Sequence, residues 1–209
     1  MTHTLHRIGS KESLSKDYVF LCMASMGRNV AGAAVKLREF FRLARENGAV
    51  KLSDARLGNE CTQGGLDAVY DHIFDKSAVH AVFDTEEKAK KMIKALVKTE
   101  IGLSVVVSGL GEPVQNCCRA AGIERHTVEF SLGRWGKTER LPPRQLLELN
   151  TMCGHGMVAV GLIKKVLSEV QSGELSPEKA AEKLFEPCVC GAFNPVRAAE
   201  ILRELASNR

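Results

Sequence analysis

Three of the seven cysteines fall in two short turns in the last third of the chain. One turn is Thr151-Met152-Cys153-Gly154-His155-Gly156-Met157; the other is Pro187-Cys188-Val189-Cys190-Gly191-Ala192-Phe193-Asn194-Pro195. A helix-spaced apolar stretch follows each turn, so each is expected to open a helix. A thiolate there is stabilised by the helix dipole and by unpaired N–H groups. Several thiolates held by Gly and Pro turns are a donor set for a metal ion or a cluster. Gly154, Gly156 and Gly191 allow φ > 0 and close backbone approach. Their N–H groups are candidate hydrogen-bond donors to sulfur, which tune a cluster's potential. Cys188-Val189-Cys190 can supply two thiolates to one iron or to two neighbouring irons. It is shorter than the C-x-x-C spacing usual in structural zinc sites.

Bulk properties narrow the class. The chain has 209 residues, 44% of them hydrophobic, and a net charge of +4. That is enough for one large domain or two small ones with a real core. The longest apolar run, near residues 158–163, is too short to span a bilayer. The first residues lack the apolar stretch of a signal peptide. The expectation is a soluble cytoplasmic protein with no membrane partner. Seven cysteines is an odd number, which argues against a simple disulfide framework, and a reducing compartment disfavours disulfides. Lys88, Lys90, Lys91, Lys94 and Lys98 follow Glu86 and Glu87 in the order a helix dipole prefers. With no interleaved aromatics, they read as a solvated helix face and not a nucleic-acid surface.

Two regions must position the cysteines. Over residues 15–140, strands alternate with helices, which predicts an α/β fold. Tyr18–Met23, residues 49–54, Ala78–Phe83, 103–107 and 127–132 read as strands; residues 30–47, 66–74, 84–99 and 113–121 read as helices. Residues 1–17 are polar and read as a loose arm. The turn Gly133-Arg134-Trp135-Gly136 and the Pro142-Pro143 pair mark a boundary, beyond which residues 141–209 read as a helical cysteine domain. Ser176-Pro177 and Asn194-Pro195 each pair a cap with Pro at the first helical position.

Residues 153–205 resemble the helical 2Fe-2S domain of the xanthine oxidase and molybdenum hydroxylase family. In that family a Cys-Gly-x-Cys-Thr-Pro-Gly-Met turn opens a long helix, and a Leu-Cys-x-Cys-Thr-Gly-Tyr turn opens the last one. Cys153-Gly154 followed by Gly156-Met157 corresponds to the first turn, and Pro187 to Phe193 to the second. The first turn here is shorter and lacks the second cysteine; His155 stands near its place. The resemblance covers about a quarter of the chain and none of the family's ferredoxin-like half. It implies local architecture and cluster binding, without molybdenum chemistry.

Cys153, Cys188 and Cys190 are therefore the candidate ligands, with Gly154, His155 and Gly191 as cofactor-contacting residues. Cys61, in the glycine-rich segment 58–65, is the first candidate for a fourth ligand. His155 is the second, since histidine ligates iron in Rieske centres. An open iron would instead suggest a 4Fe-4S enzyme. The leading expectation is an iron–sulfur protein, 2Fe-2S or 4Fe-4S, with a small-molecule site beside the cluster at the domain interface, as a redox protein or cluster-dependent enzyme. Its partners would be a small-molecule substrate or a redox partner protein, with a homo-oligomer open. Two alternatives stand beside it. One is a zinc-stabilised binding module. The other is a cofactor-free thiol enzyme using Cys153 as nucleophile or base, because Met152-Cys153-Gly154-His155-Gly156 also resembles the cysteine turn of the proline racemase family. That family's second turn is missing here. Cys22, Cys117 and Cys118 read as buried structural thiols. Ser108-Gly109-Leu110-Gly111 reads as a tight strand-to-helix turn, and His72, His80 and His126 lack metal spacing.

Overall fold

Alternation along the strands gives one sheet two chemically different faces. A computed structural model of the chain describes residues 7–131 and 133–207. Strands β1 (Tyr18–Met23), β2 (Lys51–Asp54), β3 (Gly58–Asn59), β4 (Ala78–Phe83) and β5 (Ser104–Ser108) form a five-stranded sheet in the order β3-β2-β4-β1-β5. All of its pairings are antiparallel. Tyr18, Phe20, Cys22, Leu52, Val79, Ala81 and Phe83 bury into one core. The residues between them point the other way, as the period of two requires. Register aligns these in two rows, Val19–Val82–Lys51 and Leu21–His80–Ser53.

Helices cover the first face. In α2 (Ala33–Glu46), Ala33, Leu37, Phe40, Phe41 and Ala44 recur at three- and four-residue spacing and are buried. In α5 (Glu86–Thr99), the Thr85 side chain accepts a 3.3 Å bond from the Lys88 N–H, with Glu86 and Glu87 in the first turn. The short α3 (Glu60–Gln63) and α4 (Leu66–His72), and α6 (Gly111–Ala120), complete this half. Cys22, Cys117 and Cys118 are buried in its core, as expected.

Four later helices cover the second face: α7 (Arg144–Thr151), α8 (Val160–Gln171), α9 (Pro177–Phe185) and α10 (Pro195–Ser207). Val19 and Val82 of the sheet belong to the core these helices form. Lys51 ties the layers electrostatically. Its ammonium meets Glu60 at 2.5 Å and Glu182 of α9 at 2.8 Å, 4.4 Å above the Phe185 ring. The fold is thus of the α/β class, with an antiparallel sheet between two helical layers. No helix among the described residues is long and apolar enough to cross a membrane.

The structure corrects three local expectations. Residues 127–131 are not a strand; Val128 and Phe130 are exposed and the segment finds no sheet partner. Strand propensity is realised only where a neighbour supplies the ladder. Leu132 lies outside the described residues, as do residues 1–6. The rest of the arm, residues 7–17, is not loose. It carries α1 (Lys11–Leu14) and a buried ion network. The Asp17 carboxylate, fully buried, accepts from Arg7 and, at 2.7 Å, from Arg197 of α10. Arg197 also donates to Ser13 Oγ at 2.8 Å and to the Ile8 carbonyl at 2.7 Å. Finally, the first cysteine turn does not open a helix directly, because α8 begins only at Val160, whereas the second runs straight into α10 at Pro195.

Candidate metal centre

Both cysteine turns leave the C-terminal end of one helix and lead to the next. After α7, the Gly154 N–H returns to the Thr151 carbonyl at 2.9 Å, and Gly154 takes φ 78°. Asn150 Nδ2 donates to the Val158 carbonyl at 2.8 Å, closing the loop. After α9, the Cys188 N–H donates to Phe185 O and the Gly191 N–H to Cys188 O, both at 2.8 Å. Helix-end turns of this kind need a residue in the left-handed region, which favours glycine.

The sheet holds the second turn. Ser53 Oγ donates to the Cys190 carbonyl at 2.6 Å. Asn59 Nδ2 donates to the carbonyls of Cys188 at 2.9 Å and Glu186 at 3.2 Å, while its Oδ1 caps α3 by accepting from the Cys61 and Thr62 N–H groups. The arm joins the two turns: one Arg7 nitrogen donates to Met152 O at 2.8 Å and to Ala192 O at 3.0 Å.

These supports bring the donor atoms together. The Cys188 and Cys190 sulfurs are 3.8 Å apart. His155 Nδ1 lies 3.3 Å from the Cys190 sulfur and 3.8 Å from that of Cys153. The ligand atoms of Cys153, His155 and Cys190 all lie within 4.8 Å of one another, a group that could hold a metal ion. Cys188 is not in that group of three, although its sulfur adjoins that of Cys190. A tetrahedral ion with metal–sulfur bonds of about 2.3 Å and metal–nitrogen bonds of about 2.0 Å would set its sulfurs about 3.8 Å apart and its S···N edges about 3.5 Å. The three cysteines are buried and His155 is exposed, so the site has a sulfur floor and an imidazole rim.

The thiols share protons unevenly. Cys153 is driven well below the ordinary thiol range because Cys188 and Cys190 donate hydrogen bonds to its sulfur, helped by the His155 backbone N–H. Cys188 is pushed up, first by its bond to Cys153, then by its bond to Cys190 and by burial. Cys190 rises to about 12, chiefly through its bond to Cys153 and then burial, against hydrogen bonds from Cys188 and, more weakly, the Ala192 N–H, which favour its thiolate. Sulfurs that share protons in this way could hold a cation, whose charge would replace those protons.

Of the expected site residues, the structure gathers Cys153, His155, Cys188 and Cys190, with Gly154 and Gly191 shaping their turns. The donors to sulfur are the N–H groups of His155 and Ala192; those of Gly154 and Gly191 serve carbonyls. Cys61 stands exposed on α3 beside Glu60, outside the ligand group. Its thiol is pushed up, mainly by burial. His80 is buried in β4, and His72 meets Gln63 at 2.7 Å. Sequence reasoning did not single out Arg7, Ser53 or Asn59 as site residues. Only Asn59, a cap-forming residue in a glycine-rich segment, offered any signal. No known protein family, curated protein or solved structure matches the chain.

Proposed function

We propose that this protein is a metal-binding protein that holds one thiophilic ion, zinc for preference, through Cys153, Cys188, Cys190 and His155. The observation that carries the reading is the donor spacing. Three donor pairs, Cys153–His155, Cys190–His155 and Cys188–Cys190, lie 3.3–3.8 Å apart, the length of tetrahedral edges. Cys153, His155 and Cys190 form the compact group, and Cys188 would move in beside Cys190 to complete it. A cluster would place its iron–sulfide core between thiolates on different irons and needs them farther apart. Four protein donors leave no open position, which favours a structural or regulatory ion over a catalytic one. The full burial of Cys153 counts against its acting as a free nucleophile.

An iron–sulfur cluster is the second reading. It is favoured by the His155 and Ala192 N–H groups aimed at sulfur, a device that tunes clusters. It needs the two turns to separate, and the exposed His155 would then face a small-molecule substrate or redox partner. Anaerobic purification followed by metal and acid-labile sulfide analysis separates the two. Colourless protein with one zinc per chain, and a cobalt(II) derivative with tetrahedral thiolate bands, is the expected result. Brown protein with equal iron and sulfide overturns it in favour of the cluster. Cys188→Ser and Cys190→Ser should each abolish tight binding of either group, while Cys117→Ser leaves it intact.

A further inference from the structure

We infer that Arg7 is a positioning residue of the metal centre, spanning the two cysteine turns and latching the N-terminal arm to them; this rests on the metal-binding reading above. One guanidinium nitrogen donates both to the carbonyl of Met152, the residue before Cys153, and to the carbonyl of Ala192, two residues after Cys190. Those residues belong to different turns, so the span fixes how far apart the two sets of ligands stand. Ala192 is also the residue whose N–H faces the Cys190 sulfur. Its peptide is thus held from one side by Arg7 while it orients toward the ligand on the other.

The far side of Arg7 is fixed as firmly. It pairs with the buried Asp17, which also accepts from Arg197 and from Asn194 Nδ2 at 3.2 Å. No residue of the segment 7–17 contributes to either hydrophobic core. Polar contacts therefore hold the arm, and two of them exist only while the turns are at ligand distance. A metal ion that draws the turns together strengthens the span, and the span lowers the cost of binding the ion. By linkage the coupling is reciprocal: whatever factor the arm gives to metal affinity, the metal gives back to docking of the arm.

Two variants and two readouts test this. Zinc affinity is measured by competition with a chromophoric chelator, and the site by the cobalt(II) spectrum. Arg7→Ala should weaken zinc by about 10–100-fold, the usual effect of losing a group that orients ligands. It should also shift the cobalt bands without loss of overall helicity. Arg7→Lys keeps the Asp17 pair but lacks the planar fork, so it should fall between wild type and Arg7→Ala. Free guanidinium ion should partly restore Arg7→Ala. Zinc should slow trypsin cleavage after the exposed Lys11 in wild type and not in Arg7→Ala. An Arg7→Ala protein with wild-type affinity and an unshifted cobalt spectrum overturns the latch while leaving the metal reading intact. Wild-type protein that takes up no metal overturns both.

Discussion

Gly191 offers a test of how the site is held that is independent of the ion. A β-carbon built at this position would lie 2.0 Å from Ser53 Oγ and 2.3 Å from Ser53 Cβ, and the backbone sits at φ +67°. Gly191→Ala therefore meets two separate costs. Left-handed backbone costs an alanine about 1–2 kcal/mol. Overpacking against Ser53 costs about 1–3 kcal/mol, and displacing Ser53 sacrifices its bond to the Cys190 carbonyl, about 1 kcal/mol. The total, about 3–6 kcal/mol, is a large share of the stability of an ordinary domain. The second and third costs vanish if Ser53 is already glycine, because the next nearest atom, Ser53 Cα, is 3.7 Å away. A double-mutant cycle on metal-free protein, read by urea unfolding, separates them. Gly191→Ala should cost about 3–6 kcal/mol in wild type and only the 1–2 kcal/mol of backbone strain in Ser53→Gly. Equal costs in both backgrounds would refute the steric argument and with it the docking of the turn on β2.

Two further outcomes are expected. Burial raises the Cys22 thiol to about 12 from an ordinary 9.0. The folded state therefore keeps a proton that the unfolded chain loses, and stability falls as pH rises from about 9 to 12, by up to about 4 kcal/mol at about 1.4 kcal/mol per unit. Cys22→Ala, followed by urea unfolding of metal-free protein across this range, should remove about 1.4 kcal/mol per pH unit from the slope and leave the part owed to Cys188 and Cys190, which are also pushed up; an unchanged slope would refute the Cys22 contribution. Chelation should leave the far-ultraviolet circular dichroism unchanged and lower the melting temperature only modestly, because Ser53, Asn59 and Arg7 hold both turns without the ion; unfolding on chelation would show that the ion alone holds them.

What the sequence disclosed follows from the range of each interaction. β1 and β4 were legible to the residue, because a short apolar run bounded by turn residues, interrupted in β4 only by His80, is a local signal. α2 was legible through the spacing of its apolar residues, though it starts at Ala33 behind Gly32 and not at residue 30, and α9 through its Ser176-Pro177 cap. Residues 127–131 carry strand-like residues just as clearly, but a strand needs a partner, and β5 does not supply one. The arm misled for the converse reason. A lone Ile8 in Arg7-Ile8-Gly9-Ser10 does not announce burial, and apart from Asp17 of the arm itself the partners, Arg197 and two turn carbonyls, are remote in sequence. The cysteines were conspicuous by type and by their Gly and Pro neighbours. That each turn also closes the helix before it was not, since a glycine can end one helix as well as precede another.

The same division runs through the site. The ligands are local: Cys153 and His155 share one turn, Cys188 and Cys190 the other. The distance between the turns is not local. A hydroxyl on β2 and the Asn59 amide of β3 fix the second turn on the sheet, and a guanidinium from the arm spans both turns, each donating to backbone carbonyls. Carbonyl contacts leave no side-chain pattern at the accepting position, so half of each interaction is invisible in the sequence. They also have a chemical consequence. Donors spent on carbonyls fix the turns without reaching the sulfurs, and the negative charge favoured on Cys153 is met by hydrogen bonds from Cys188, Cys190 and His155. A scaffold that assembles sulfur ligands but leaves their charge to shared protons is arranged to exchange those protons for a cation.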